Sequence, residues 1–408
     1  MNIPSLEIQQ HKTQTKVHKD RNLRVILSVT MVAILPIFSI NPTLGTIAQA
    51  LGVSTQQVTL IVTAFLVPVA IGTPIFGFLA DRFGKKQILI PSLLLFALGG
   101  VLCATAQDFR SLIEWRCLQG LGAASLEAMV ISSLSDLYKG KRVTTAMALN
   151  ASAIGVGSTI YPALGGGLAD INWRLPFLLS LLAIPVAVLV LFKLKLPSPV
   201  VKVANIDFKT YVRNIANSIK HREVIGLLFL VIGLFAIQFG AFYTFTPVLA
   251  ASVMNAPASA IGIVFSGNSI SLAVVALLVS MYATKLSEVK LIKISLVIFA
   301  VSLLLIFNTP KLSLLLIPSV LIGAVEGMAY PSIQALLAKF APEGYRAGFM
   351  SMNVSIQAFG RALGPILGAI ALQLGGMPAI YYGGAALTLV ILVVFHFLLI
   401  PRRTLNNR

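Results

Sequence analysis

The chain has 408 residues, 57% hydrophobic and only 11% charged, with 31 Lys and Arg against 13 Asp and Glu for a formal net charge of +18. A soluble domain carries about 25% charged residues, so the deficit excludes a soluble fold. A cationic excess of this size suggests nucleic-acid binding in a soluble protein, but its placement along this chain gives it another role, and no nucleic-acid partner is expected.

The first 24 residues are polar and contain no apolar stretch ending at a small-residue cleavage site, so no secretory signal peptide is expected and insertion starts with the first spanning helix. About 20 apolar residues cross a bilayer's hydrocarbon core. Runs of that kind predict helices over 25–45, 56–80, 87–106, 111–136, 143–169 and 174–194. The hydrophilic stretch from Lys193 to Arg222 follows, and further helices are expected over 223–250, 258–283, 290–308, 312–338, 346–374 and 378–400. The expected fold is an all-α membrane protein of twelve transmembrane helices. Its parts are an N-terminal tail (1–24), a six-helix bundle (25–194), a central linker (195–222), a second six-helix bundle (223–400) and a C-terminal tail (401–408). Phe208 to His221 reads equally as a short interfacial amphipathic helix and as a solvated linker.

An even number of spans puts both ends on one side, and Lys and Arg mark which side it is. Twenty-six of the 31 lie in the two tails, the central linker and the loops after even-numbered helices, whereas the opposite loops hold Arg110, Arg174 and Lys311. Both termini are therefore expected in the cytoplasm, in a plasma (inner) membrane, with the basic excess facing anionic lipid.

Adding 203 to residue numbers lays the fourth and fifth helices on the tenth and eleventh without a gap. Gly120 meets Gly323, Met147 meets Met350, Asn150 meets Asn353, Gly157 meets Gly360, Pro162 meets Pro365 and Gly165 meets Gly368. One constant offset joining Asn, Met and Pro as well as Gly points to duplication, hence to two pseudo-symmetric bundles. Parallel repeats of this kind are one known transporter architecture, with substrate held near the midplane.

The most specific stretch is Gly77-Phe78-Leu79-Ala80-Asp81-Arg82-Phe83-Gly84-Lys85-Lys86, at the end of the second helix. Gly77 allows close helix approach, Gly84 a tight reversal, and Asp81 suits the positive end of a neighbouring helix. Asp136 is expected to pair with Arg82 or Arg142. A solvated topogenic loop explains the cations alone. Here the chain resembles the major facilitator superfamily, whose signature loop runs Gly-x-Leu-Ala-Asp-Arg-x-Gly-Arg/Lys-Lys. The resemblance implies that Asp81 faces the start of the eleventh helix, near Glu343 to Arg346, and latches the halves in one conformation. The matching place in the second half, Ser280 to Glu288, keeps a faint echo of the motif.

In the fourth helix, Arg116-Cys117-Leu118-Gln119-Gly120-Leu121-Gly122-Ala123 is similar to the family's Arg-x-x-Gln-Gly-x-Gly-Ala motif. An arginine at this depth is costly unless it faces protein or water. The resemblance implies a part in proton coupling; the alternative is snorkelling toward the surface beside Glu114. The fifth helix carries Gly157-Ser158-Thr159-Ile160-Tyr161-Pro162-Ala163-Leu164-Gly165, similar to an element of the drug/proton antiporter branch, with Tyr161 where a glycine is expected. Gly360, Gly364 and Pro365 in the eleventh helix form an intact version. Packing and kinking are an equal alternative reading of these residues.

Deep ionisable residues are functional candidates by default, and Glu127 and Glu326 are the two deep carboxylates. Burial raises a carboxyl's pKa toward the physiological range, which permits cycles of protonation and release. Eleven positions separate Arg116 from Glu127, which on one continuous helix leaves them about 20° apart around the axis. A carboxyl kept neutral as a structural hydrogen bonder is the alternative. Asn150, Tyr243, Tyr330, Asn353, Gln357 and Arg361 are candidate cavity residues, Arg361 either balancing a deep carboxylate or binding an anionic substrate group. Among the other aromatics, Phe239, Phe242, Phe245, Phe359, Tyr381 and Tyr382, a subset is expected to face the cavity. The first helix contains no acid, unlike that of many drug antiporters.

No phosphate-binding Gly-x-x-x-x-Gly-Lys-Ser/Thr loop occurs, so a gradient is the expected energy source. Cys103 and Cys117 read as packing residues, His11, His18, His221 and His396 make no metal cluster, and no nucleophile lies with a base. No cofactor, metal or enzymatic activity is expected. The partners expected are a small-molecule substrate, protons and the lipid bilayer, with the chain working as a monomer. The function read is proton-coupled efflux of a lipophilic or amphiphilic, drug-like compound by alternating access, with a sugar or metabolite permease and a transporter-like sensor left open.

Overall fold

The computed structural model describes residues 20–138, 141–196, 222–281, 287–340 and 346–398, and every regular element among them is a helix. In chain order these are α1 (Arg21–Leu51), α2 (Thr55–Phe83), α3 (Lys85–Thr105), α4 (Phe109–Leu137), α5 (Lys141–Ile171), α6 (Leu175–Lys193), α7 (Val224–Val253), α8 (Ala258–Met281), α9 (Glu288–Phe307) and α10 (Leu316–Phe340). The last stretch, Arg346–Leu398, leaves helical geometry at Gly375 and Gly376 and is described as α11 (346–374) and α12 (377–398).

Among the described residues ten helices are long and apolar enough to cross a membrane, with 353–397 counted once. At 1.5 Å per residue that last one would measure roughly 67 Å if straight, about twice a hydrocarbon core, so the glycine break is what fits it to a bilayer. α5, 31 residues long and carrying Asn150, Ser152, Ser158 and Thr159, is not among the ten.

Local chemistry sets the helix starts and stops. The carboxylate of Asp20 accepts from the N–H of Asn22 at 2.8 Å, and Asp108 does the same for Ser111 at 2.8 Å. Ser54 and Gln57 exchange side-chain to backbone bonds in a full capping box. Gly84 joins α2 to α3 at φ 99°, a backbone setting that a side chain would resist.

The surface is inverted relative to a soluble protein. Ile71, Leu277 and Phe397 are each more than 60% exposed, while Arg116 and Glu326 are almost wholly enclosed. Exposed apolar area on that scale needs lipid around it.

Packing divides the described residues into two units, 20–196 with 247–269 and 222–246 with 270–398, so α7 and α8 each contribute to both. In the first unit small residues let backbones touch. A Cβ on Gly120 would come within 2.3 Å of the Phe65 carbonyl oxygen, and one on Gly165 within 2.1 Å of the Ser39 carbonyl oxygen. In the second unit Gly364 faces Gly240 and Ala236 across α11 and α7, with a Cβ meeting the Ala236 oxygen at 2.5 Å. α5 thus packs on α1 as α11 packs on α7, the relation that the 203-residue repeat requires.

Candidate proton and substrate site

In the second unit the apolar run of α7 departs from α geometry. Residues Gln238–Phe245 form a π-helix, and all eight are buried. In an α-helix Gln238 and Tyr243, five positions apart, would lie about 140° apart around the axis. The wider π turn closes residues five apart into neighbours on one face. Both therefore reach Glu326 of α10, Gln238 donating its amide N–H to the carboxylate and Tyr243 its hydroxyl at 3.2 Å. Tyr330, one turn on from Glu326 and hence on the same face, donates its hydroxyl to the Gln238 amide oxygen. Glu326 is 3% exposed.

An aromatic wall stands beside this network. Phe235 stacks on Tyr330 with ring centroids 5.0 Å apart, and Phe239 lies 5.0 Å from Tyr243. The Arg361 guanidinium of α11 sits over Phe235 and Phe239, 5.4 and 5.9 Å from their centroids, and one of its N–H groups points at the Gln357 amide oxygen at 3.4 Å. Carboxylate, amide, two phenols, guanidinium and aromatic faces thus share one place. Asn353 lies nearer the start of α11, buried, donating to Gln334 at 3.1 Å. Phe359 and Tyr382 are exposed.

A second ionisable site lies in the first unit. Arg116 is 1% exposed. It donates to the Gln119 amide oxygen at 2.7 Å and the Ile61 carbonyl at 3.2 Å, with its guanidinium 4.5 Å from the Phe65 ring centroid. It does not snorkel, and Glu114 pairs instead with Arg110 at 3.1 Å. The α4 helix breaks in a turn at Ala124 and Ser125, and the Thr73 hydroxyl of α2 donates to the Ala124 carbonyl at 3.0 Å. Glu127 follows the turn, half-buried. Asn150 accepts the Thr30 hydroxyl at 2.6 Å and ties α5 to α1.

At the α2–α3 junction Asp136 pairs with Lys85, not with Arg82 or Arg142. Lys85 opens α3, which brings its ammonium to the last turn of α4, while Arg82 is exposed and lies over Phe83. Nothing described lies within 4 Å of where a Cβ on Gly77 would sit. The side chain of Asp81, the start of α11 near Glu343, and residues 282–286 of the second-half echo lie outside the described residues, as does the linker from 197 to 221.

Three features escaped sequence reading. Gln238 is the hub of the Glu326 network; its signal was an amide alone in an apolar run. Asp170, at the end of α5, accepts from the N–H groups of Ala258 at 2.9 Å and Ser259 at 3.2 Å, capping α8. Beyond it Ser266 and Ser269 donate to the carbonyls of Thr159 and Ser158, at 2.6 and 2.8 Å, and Gly262 and Gly166 let the backbones close.

Apolar-faced helices, glycine-mediated contacts and enclosed ionisable clusters define a polytopic membrane transport protein. Residues 26–258 and 250–408 match the model of the Major Facilitator Superfamily, and the chain belongs to that superfamily. It is 35% identical over 164 residues to the Bacillibactin exporter of Bacillus subtilis (strain 168), a match covering 38% of this chain and 41% of that protein. It is 26% identical over 355 residues to Multidrug resistance protein 1 of the same organism, covering 86% and 90%. The crystal structure of the human organic anion transporter MFSD10 superposes with a TM-score of 0.69 at 19% identity, covering 92% of this chain and 99% of that one, a likeness of fold. Members of this superfamily bind small-molecule substrates.

Proposed function

We propose that the chain is a proton-coupled exporter of small lipophilic or amphiphilic compounds, working by alternating access in a plasma (inner) membrane with both termini cytoplasmic. In this reading twelve helices span the bilayer in two six-helix halves. α5 supplies the eleventh span, and α11 and α12 divide at the glycine break. The observation that carries the coupling is Glu326, enclosed, facing an amide and a phenol from one π turn. Both protonation states of this carboxyl can be satisfied there. As a carboxylate it accepts from Gln238 and Tyr243; with a proton it donates to the Gln238 amide oxygen, the amide turning over so that its NH₂ meets the Tyr330 oxygen. The aromatic wall supplies a flat apolar surface for a lipophilic substrate, and Arg361 a cation for any acidic group on it. Arg116 holds α2 and α4 together around a buried charge, and Glu127 is the second proton candidate. The latch of Asp81 on α11 belongs to the same proposal.

Relatives named for export and for multidrug resistance support the direction. The test is the pH inside everted vesicles carrying a respiration-driven acid gradient, with lipophilic cations, antibiotics and sugars added in turn. Dissipation by one lipophilic class, lost in Glu326→Gln, is expected; loss in Glu127→Gln instead would assign the proton to the second candidate. Dissipation by sugars alone would favour the permease reading, and an unchanged response in Glu326→Gln would sink the assignment of this carboxyl.

A further inference from the structure

The second unit has a groove of about 610 Å³ between α9 and α12, away from the Glu326 network in sequence and in the residues that form it. Its floor and walls are apolar, with Ile294, Val297, Val393 and Phe397 among the lining residues. These four are each between 46% and 63% exposed, so the groove opens outward. Polar groups stand at its edge, outside this apolar surface. There the Lys293 ammonium and the His396 Nδ1 lie 2.9 Å apart.

An ammonium can only donate, so Nδ1 accepts, and the imidazole proton sits on Nε2. The pair therefore presents donors alone to anything outside it: the two remaining ammonium N–H groups and the Nε2–H. It carries a net positive charge. Lys290, exposed and one turn toward the start of α9, adds a second cation, and Glu288 is the acid on the first turn of that helix. A ligand that complements both parts must be negatively charged and rich in acceptors at one end, and long and apolar at the other. A free phosphate would answer the donors and leave the groove empty. An alkyl chain alone would fill the groove and leave the donors unanswered.

We infer that this groove binds one anionic phospholipid from the leaflet on the basic side of the membrane. Its phosphodiester meets Lys293 and His396, and an acyl chain lies over Ile294, Val297, Val393 and Phe397. Basic clusters at membrane-facing helix ends on that side recognise anionic head groups by the same physics. The site is independent of the transport reading, since none of its residues belongs to the Glu326 or Arg116 clusters.

The test uses full-length protein reconstituted in vesicles, with Trp115→Phe and Trp173→Phe removing background fluorescence and Phe397→Trp as reporter in the groove. Its quenching by brominated phosphatidylglycerol is compared with that by brominated phosphatidylcholine at equal mole fraction. An apparent preference of about five-fold for the anionic lipid is expected, the ratio that one cation near an anionic group contributes. It should fall to about one in Lys293→Gln with His396→Gln, Lys293 being part-buried and His396 exposed, with the melting temperature in detergent checked alongside. A second reporter, Val188→Trp, on the exposed apolar face of α6, should show no preference. Equal quenching by both lipids at Phe397→Trp would overturn the inference, and so would a preference that survives the double substitution or that appears equally at Val188→Trp. Relief of quenching by soluble glycerol phosphate would assign the donors to a free anion and overturn it too.

Discussion

Replacing Asp170 tests how the chain holds α5 against the start of α8. Its two carboxylate oxygens accept from the N–H groups of Ala258 and Ser259 at 2.9 and 3.2 Å, a position where a negative charge also meets the positive end of α8. A lost helix cap costs about 0.5–2 kcal/mol and a lost charge at a helix terminus about 0.3–1 kcal/mol. Asp170 is exposed, which places both at the lower part of those ranges. Asp170→Asn keeps one acceptor and loses the charge, about 0.4 kcal/mol or about two-fold in the closed-to-open ratio of this contact. Asp170→Ala loses both acceptors and the charge, about 1 kcal/mol or about five-fold. The assay is alkylation of Ser158→Cys, at a position buried along the contact, in a Cys103→Ala, Cys117→Ala background. The labelling rate should rise in the order Asp170, Asn, Ala by those factors. An identical rate in all three would show that the cap carries none of the closing free energy.

Further outcomes follow from other contacts. Gly364→Ala would drive a methyl to 2.5 Å from the Ala236 oxygen, a backbone atom that cannot turn aside. A destabilisation of about 1–3 kcal/mol is expected as a lower melting temperature in detergent, while Gly77→Ala, which meets open space, should melt unchanged. Arg116→Lys keeps the charge but loses the fork that reaches both Gln119 and Ile61, so transport should fall nearly as far as in Arg116→Gln; full activity in the lysine variant would leave charge alone as the requirement. The Tyr138 hydroxyl donates to Asp20 at 2.7 Å, and burial, then the bond to Asp20 and its charge, push this phenol well above its usual value. A folded value above the unfolded one contributes stability that is complete below about pH 10 and lost as pH climbs beyond it. Melting temperature should therefore drop above about pH 10 more steeply in the parent than in Tyr138→Phe.

Much of the helix layout is readable because lipid leaves few choices. Apolar runs long enough to span, Gly and Pro placed at contacts, and cations clustered in alternate connecting segments of the sequence are all one-dimensional signals. The repeat offset also carries into three dimensions, as the offset pair Gly165, against Ser39 of α1, and Gly368, against Phe245 of α7, illustrates. Glu326 could be singled out because a lone carboxylate in an apolar helix is costly. Its partner Gln238 could not, since only the π turn brings it and Tyr243 to one face. The partner of Asp136 was likewise undetermined: Arg142 is six residues on, Arg82 and Lys85 are more than fifty residues back in one loop, and the structure pairs it with Lys85, the first residue of α3. Asp170 carries no local signal in the sequence, because the N–H groups it caps are 88 and 89 residues away.

The most direct test of proton coupling through Glu326 is made in proteoliposomes, with a compound identified in the vesicle panel and an imposed pH gradient. Glu326→Gln should abolish gradient-driven accumulation while keeping exchange of labelled for unlabelled compound across the same membrane, because the aromatic wall and the moving helices are intact. Gradient-driven accumulation by Glu326→Gln at the parent's rate would contradict the account.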